Sequence, residues 1–318
     1  MSAPDLFARV PDRVSIYEVS PRDGLQNEVA IVPPAGKLRL IDALVGAGLD
    51  RIEFTSFVSP KWVPHLADAE ELAEALQSGA HVAPGVRFSA LCANARGLER
   101  AKKAGVEEIS LVVSASETHN KKNINKTVDA TLAAFDEMIA SAREAGMRVR
   151  GYVSTAWGCP YEGDVDPARA IGIARELYEM GCYQVSLGDT IGAGTPRQTS
   201  DILTRALGEL PVEAVAMHMH DTRGSALPNI VVGLELGVRH LDASVGGMGG
   251  CPYAPGAAGN VATEDLVYML HGMGIATGLD VDRLSDAARV AESLVGRALP
   301  GKVHQAAIRR PRGRSGAS

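Results

Sequence analysis

No apolar run in the chain reaches the roughly 18 residues that a membrane-crossing helix needs. Cysteine is scarce too: Cys92, Cys159, Cys182 and Cys251 lie far apart, with no Cys-x-x-Cys pair. That spacing excludes a zinc ribbon or a thioredoxin-like site, and so few cysteines in 318 residues do not make a disulfide framework. Positive charge is in deficit, with 32 Lys and Arg against 38 Asp and Glu, so no general basic field is available to hold nucleic acid. The opening residues mix Asp5 and Asp12 with Arg9 and Arg13 and lack an apolar segment, which argues against a signal or transit peptide. What is abundant is core-forming material, 46% hydrophobic residues against 22% charged. The expectation is a soluble, cytoplasmic, globular protein with a sizeable core.

Short β-rich runs alternate with longer amphipathic stretches, as in βα units around a parallel sheet. Eight strands are predicted: Val14 to Val19, Arg51 to Thr55, Val86 to Cys92, Glu108 to Val113, Val149 to Ser154, Tyr183 to Leu187, Val215 to His220 and His240 to Val245. Helical patterns lie between them, for example Lys37 to Ala47, where Leu38, Ile41, Leu44 and Val45 share a face. A glycine stands before five strands, at Gly48, Gly105, Gly146, Gly181 and Gly237, where a helix C-cap uses a left-handed residue. Eight such units favour an α/β fold of the (β/α)8 TIM-barrel type over an open doubly wound sheet. The open sheet would show a glycine-rich phosphate loop after its first strand, and SPRDGLQNE stands there instead. A further helical pattern, Val281 to Leu294, adds a C-terminal helical segment. The reading is one catalytic domain over 1–300, followed over 301–318 by a basic, disordered tail carrying Arg309, Arg310, Arg312 and Arg314.

In such a barrel the chemistry sits at the C-terminal ends of the strands. Strand one ends in Arg22 and Asp23, strand two carries Glu53, strand six runs into Asp189, and strand seven ends in His218 and His220. Asn260 follows the glycine-rich loop after strand eight. Two residues apart on a strand, His218 and His220 point to the same side. A lone histidine would be read as a core residue with a satisfied hydrogen bond, but this pair, with Asp23 able to reach across the mouth, reads as metal ligation. A carboxylate, two imidazoles and an amide oxygen suit Mg²⁺ or Mn²⁺ better than a closed tetrahedral zinc site. Arg22 is suited to an enolate oxygen, and Glu53 reads as its partner rather than as a base. Cys92 and Cys182 read as inert core thiols, whereas Cys159 and Cys251 each sit in a Gly-Cys-Pro-Tyr loop that could present a thiol.

The runs SPRDGLQNE at 20–28, IEFTSFVSPKWVP at 52–64, SLGDTIGAGTP at 186–196, HMHDTRG at 218–224 and GGMGGCPYAPGAAGNVATEDLVYML at 246–270 closely resemble the 3-hydroxy-3-methylglutaryl-CoA lyase family. The resemblance implies divalent-metal retro-Claisen cleavage of 3-hydroxy-3-methylglutaryl-CoA to acetyl-CoA and acetoacetate. It implies that Asp23, His218, His220 and Asn260 hold the metal, that Arg22 holds the thioester carbonyl and its enolate, and that Cys251 is the thiol of a closing loop. Glu53 and Asp189 are implied as supporting polar residues. The initial base stays open among His218, Asp23 and Cys251. Homodimers are common in the family, and an acyl-CoA substrate is implied, with neither nucleic acid nor membrane as a partner.

Two departures stand out: Val29 replaces a lysine that many members carry, and the chain ends in GAS rather than a peroxisomal tripeptide. The nearest rival is a related metallolyase or aldolase acting on another 3-hydroxy-3-alkylglutaryl-CoA. A Claisen synthase would append a regulatory domain, and a metal-dependent hydrolase barrel would carry its H-x-H on strand one. A non-catalytic acyl-CoA-binding barrel would not need Arg22, Asp23, His218, His220, Asn260 and Cys251 at one mouth.

Overall fold

The computed structural model describes residues 7–79, 85–249 and 259–308. Eight parallel strands close into a barrel in chain order: β1 (Ser15–Glu18), β2 (Arg51–Ser56), β3 (Arg87–Leu91), β4 (Glu108–Ser114), β5 (Arg148–Ser154), β6 (Gln184–Asp189), β7 (Val215–Met219) and β8 (His240–Ala243). Closure is made by β1 against β8, in a register that sets Ser15 opposite His240 and Glu18 opposite Ala243. The helices are α1 (Pro34–Gly46), α2 (Ala69–Gln77), α3 (Ala95–Lys103), α4 (Glu117–Ile124), α5 (Val128–Glu144), α6 (Pro167–Met180), α7 (Pro196–Glu209), α8 (Ala226–Glu235), α9 (Thr263–Gly272), α10 (Val281–Val295) and α11 (Lys302–Ile308). The (β/α)8 architecture and the additional C-terminal helices follow the sequence expectation.

The strand alternation sorts two environments. On β4, Ile109, Leu111 and Val113 belong to the apolar core between sheet and helices, as do Val149 and Val153 on β5. Each such side chain contributes roughly 2 kcal/mol by leaving water. The intervening residues face the lumen, which is polar: Tyr17 on β1 hydrogen-bonds Ser89 on β3, and Ser110 on β4 donates to Glu53 on β2. Across the lumen, Arg150 on β5 grips Asp242 on β8 at 2.6 Å, with both side chains fully buried. Such a pair costs a large desolvation to bury, and deleting one member costs about 3–5 kcal/mol by stranding the other.

Helix ends carry their own chemistry. The five glycines singled out before strands all have positive φ, from 67° at Gly105 to 116° at Gly181, so each does end a helix in the conformation that a side chain resists. In α1 the buried face is Lys37, Leu40, Ile41 and Leu44, with Leu38 and Val45 only half-buried. Lys37 turns inward because Asp68 waits for its Nζ at 2.6 Å.

The end of the chain departs from expectation. Residues 302–308 are helical, inside the span 301–318 expected as a disordered tail. The reason is local: Asp265 accepts the backbone N–H groups of Lys302 and Val303 at 2.9 and 2.6 Å, capping α11 at the end where a carboxylate is favoured. Lys302 Nζ then reaches Asp221 at 3.0 Å. The arginines from 309 onward lie outside the described residues, as does the segment 250–258 with Cys251.

Candidate active site

At the end of β1 the sequence Ser20–Gly24 folds as a single π-helical turn. Pro21 supplies a φ suited to the turn's start, and Asp23 N bonds back to Val19 O at 2.7 Å. A Cβ at Gly24 would sit 3.0 Å from Met248 Cβ and Ser244 Oγ, so glycine lets the turn lie close against the loop after β8. Such π-turns recur at functional sites because they re-aim neighbouring side chains. Here the turn aims Arg22 and Asp23 into the barrel mouth.

Asp23 meets both histidines, and one ligand atom each from Asp23, His218 and His220 lie within 4.8 Å of one another. The two imidazoles turn their Nε2 atoms toward each other at 3.3 Å. Asn260 forms a bridge with His220 and donates Nδ2 to Asp23 Oδ2 at 2.8 Å and to Met248 O at 3.0 Å, so its oxygen is not used by these contacts. A Cβ at Gly249, whose φ is +106°, would press on that Asn260 amide at 2.6 Å. The glycine-rich loop thus makes room for the asparagine.

The electrostatics suit a cation. Burial raises the Asp23 carboxyl, but Arg22, the two histidines and the Asn260 hydrogen bond outweigh it and hold its pKa at about 2. Burial, then the neighbouring His218, lowers His220 to about 4, so its imidazole is neutral near pH 7 and has a lone pair to give. Its other nitrogen, Nδ1, is buried without a hydrogen-bond partner among the described residues. Two imidazole nitrogens and an ionised carboxylate converging on one point are a donor set for a divalent metal ion.

Arg22 stands beside this cluster. Its Nε and Nη2 each lie 2.5 Å from Glu53 Oε2, and its Nη1 lies 2.7 Å from Asp23. Burial disfavours the charge, but Glu53 and Asp23 overcome it and keep the guanidinium protonated. Glu53, fully buried, also accepts the Ser110 hydroxyl, so its carboxylate is held between Arg22 and β4.

Asp189 is not brought to the cluster. Its oxygens accept the N–H groups of Ala193 and Gly194 at 3.0 and 2.8 Å, which makes it a staple for the loop after β6. Burial raises its pKa, against the pull of those amides. Cys159 does not present its thiol: it is buried, with Ser116 Oγ 3.0 Å from Sγ and the backbone of the same turn folded around it. Cys92 and Cys182 are core thiols, each pushed up to about 12 by burial.

Several site residues carried no signal in the sequence. Asp242 contacts His218 Nδ1 at 3.2 Å, and Tyr152 packs edge-on against the same ring. Burial raises the Asp242 carboxyl, but Arg150 and His218 hold it at about 2. Their partners are many residues away, and only the period of two, traced strand by strand, could have put them in the lumen. A cavity of about 720 Å³ opens from Arg22, Asp23 and the histidines outward to Trp62 and to Lys121 and Lys122 of α4. No helix among the described residues is long and apolar enough to cross a membrane.

A family model described as HMGL-like matches residues 13–291. The chain is 51% identical over 297 residues to the mitochondrial hydroxymethylglutaryl-CoA lyase of Rattus norvegicus, covering 93% of this chain and 90% of that one. It is 49% identical to the cytoplasmic 3-hydroxy-3-methylglutaryl-CoA lyase of Danio rerio, covering 94% and 88%. The crystal structure of hydroxymethylglutaryl-CoA lyase from Pseudomonas aeruginosa superimposes with a TM-score of 0.91 at 46% identity, over 94% of this chain and 99% of that one. With the barrel, the polar mouth and these likenesses together, the chain belongs to the HMGL-like family, that of the hydroxymethylglutaryl-CoA lyases.

Proposed function

We propose that the protein is a carbon–carbon lyase that cleaves 3-hydroxy-3-methylglutaryl-CoA to acetyl-CoA and acetoacetate with the help of a divalent ion. The observation that carries this reading is the convergence of Asp23, His218 and His220 beside the Arg22 guanidinium at the mouth of a barrel of this family. Asp23, His218 and His220 would hold the ion, with the Asn260 oxygen as a fourth donor. The mixed oxygen and nitrogen set favours Mg²⁺ or Mn²⁺. When bound, the ion supplies Lewis acidity that lowers the pKa of a chelated hydroxyl.

The protein's own residues account for the rest. Breaking the C–C bond leaves the acetyl-CoA fragment as an enolate, whose charge builds on the former thioester oxygen. A guanidinium has five N–H donors, and the contacts to Glu53 and Asp23 occupy three, so Arg22 keeps two for that oxygen. Glu53 fixes the guanidinium plane, so no reorganisation is needed when charge develops. Asp23, already ionised and paired, is a weak proton acceptor and a good ligand. Cys251, which the sequence places between β8 and Asn260, is the thiol we assign to proton transfer. The outer cavity, with Lys121 and Lys122 in its wall, suits the anionic phosphates of a CoA thioester.

A homodimer and a cytoplasmic location belong to the same reading; light scattering and cell fractionation test them. Function is tested by stripping the protein with a chelator, restoring Mg²⁺ or Mn²⁺, and measuring acetyl-CoA release from a panel of 3-hydroxy-3-alkylglutaryl-CoA thioesters. The methyl substrate should give the highest kcat/KM, and a longer alkyl group preferred over methyl would transfer the chain to the rival lyase class.

A further inference from the structure

The two histidines at the mouth are not held alike. His218 on β7 lies directly opposite Asp242 on β8 in the strand register, so their side chains emerge side by side in the lumen. Asp242 Oδ2 is 3.2 Å from His218 Nδ1 and also accepts the Ser186 hydroxyl at 2.8 Å. Arg150 grips the same carboxylate through both terminal nitrogens, at 2.6 and 3.2 Å, while its Nε donates to Gln184 at 2.8 Å. The Arg150 guanidinium packs 4.1 Å from the Tyr17 ring centroid and 4.8 Å from that of Tyr152. This carboxylate is therefore fixed from several sides. His220, by contrast, has no partner for Nδ1 among the described residues.

An ionised carboxylate only accepts hydrogen bonds. The contact to His218 Nδ1 therefore requires a proton on Nδ1; in the neutral ring, the form that can ligate a metal, this places the lone pair on Nε2, the atom that faces His220 and Asp23. In water a neutral imidazole with no such partner favours the opposite tautomer. We propose that Asp242 is a positioning residue: held by Arg150 and Ser186, it fixes His218 in the Nδ1–H tautomer and so presets Nε2 as a metal donor. The inference rests on the proposed role of His218 as a ligand, but its first readout does not involve metal.

Asp242→Leu alone would leave Arg150 buried without a counter-charge, so the informative protein is Arg150→Met/Asp242→Leu, in which an apolar pair of similar size replaces the ion pair. Its fold is checked by circular dichroism. The tautomer is read in the metal-free protein by histidine ¹⁵N NMR, with His218 assigned by comparison with His218→Gln. Wild type should show a single tautomer with the lone pair on Nε2, and the double variant a mixture or the reverse. Mn²⁺ affinity measured by calorimetry should fall 10- to 100-fold in the double variant, the range found when a partner behind a ligating histidine is removed. A folded double variant that keeps either the wild-type tautomer or a Mn²⁺ affinity within twofold of wild type overturns the proposal. Wild-type Mn²⁺ affinity in His218→Gln would instead overturn the ligand assignment, and the tautomer readout would still decide the role of Asp242.

Discussion

Residue by residue, the site divides into groups that act and groups that hold them. In the proposed reading Arg22 is in the first class because it has N–H groups left after Glu53 and Asp23 are served. Its charge matters most when the enolate forms, so Arg22→Gln should lower kcat by roughly 10²- to 10³-fold with little change in KM. Arg22→Lys should be nearly as poor, since a point charge cannot reproduce the fork that Glu53 orients. Steady-state kinetics check both, and an unchanged kcat removes Arg22 from the chemistry. Among the thiols, limited alkylation followed by peptide mapping should place the label that tracks inactivation on Cys251, because Cys92, Cys159 and Cys182 are all buried. Label on Cys159 that tracks inactivation instead would refute this. That Arg22, Asp23, His218 and His220 come together was legible in the sequence, because H-x-H on a strand sends both rings to one face and Arg-Asp at a strand end points into the barrel mouth. Asp189, expected as a supporting polar residue, ties up the N–H groups of the loop after β6, and its backbone carbonyl accepts the His220 N–H at 3.3 Å. Arg150 and Asp242 were not legible, since each looks like an interruption of its strand until the other, 92 positions away, closes the pair across the lumen.

At the level of elements, the strands were predictable from alternation and the helix ends from glycine. The π-turn at Ser20–Gly24 was not, because a proline, an arginine, an aspartate and a glycine in a row describe an irregular loop equally well. Helix α11 was missed because its neighbours are rich in Gly, Pro and Arg, whereas its anchor, Asp265, belongs to a different helix. The loop after β8 is where local backbone and chemistry meet. Gly249→Ala would introduce a side chain at a φ of +106° and drive it onto the Asn260 amide, so it should weaken Mn²⁺ binding by at least tenfold while the barrel still folds. Calorimetry with a circular dichroism control tests this. Unchanged Mn²⁺ affinity would remove Asn260 from the set of donors.

For the whole molecule, burial of titratable groups at the barrel ends makes stability depend on pH. Glu264, at the start of α9, is an example: burial, reinforced by Asp265 and Glu18, raises its pKa to about 8 against the hydrogen bond from Gly246 N. The folded protein then holds a proton that the unfolded chain releases near its ordinary value of about 4.5. The stability this contributes is complete below about pH 4.5 and is lost as pH rises toward about 8. Glu264→Gln should remove this slope, so the urea midpoint of the variant relative to wild type should rise between pH 5 and pH 8; parallel profiles would show that Glu264 is ionised throughout. The central claim, that one divalent ion held by Asp23, His218 and His220 makes this barrel a lyase, is tested most directly by following bound Mn²⁺ and acetyl-CoA release in the same chelator-stripped sample as the ion is added back. The account predicts no cleavage of 3-hydroxy-3-methylglutaryl-CoA before addition, recovery in proportion to bound ion up to one per chain, and neither binding nor recovery in His220→Ala. Full cleavage by the stripped protein, or a full complement of bound Mn²⁺ in His220→Ala, would contradict it.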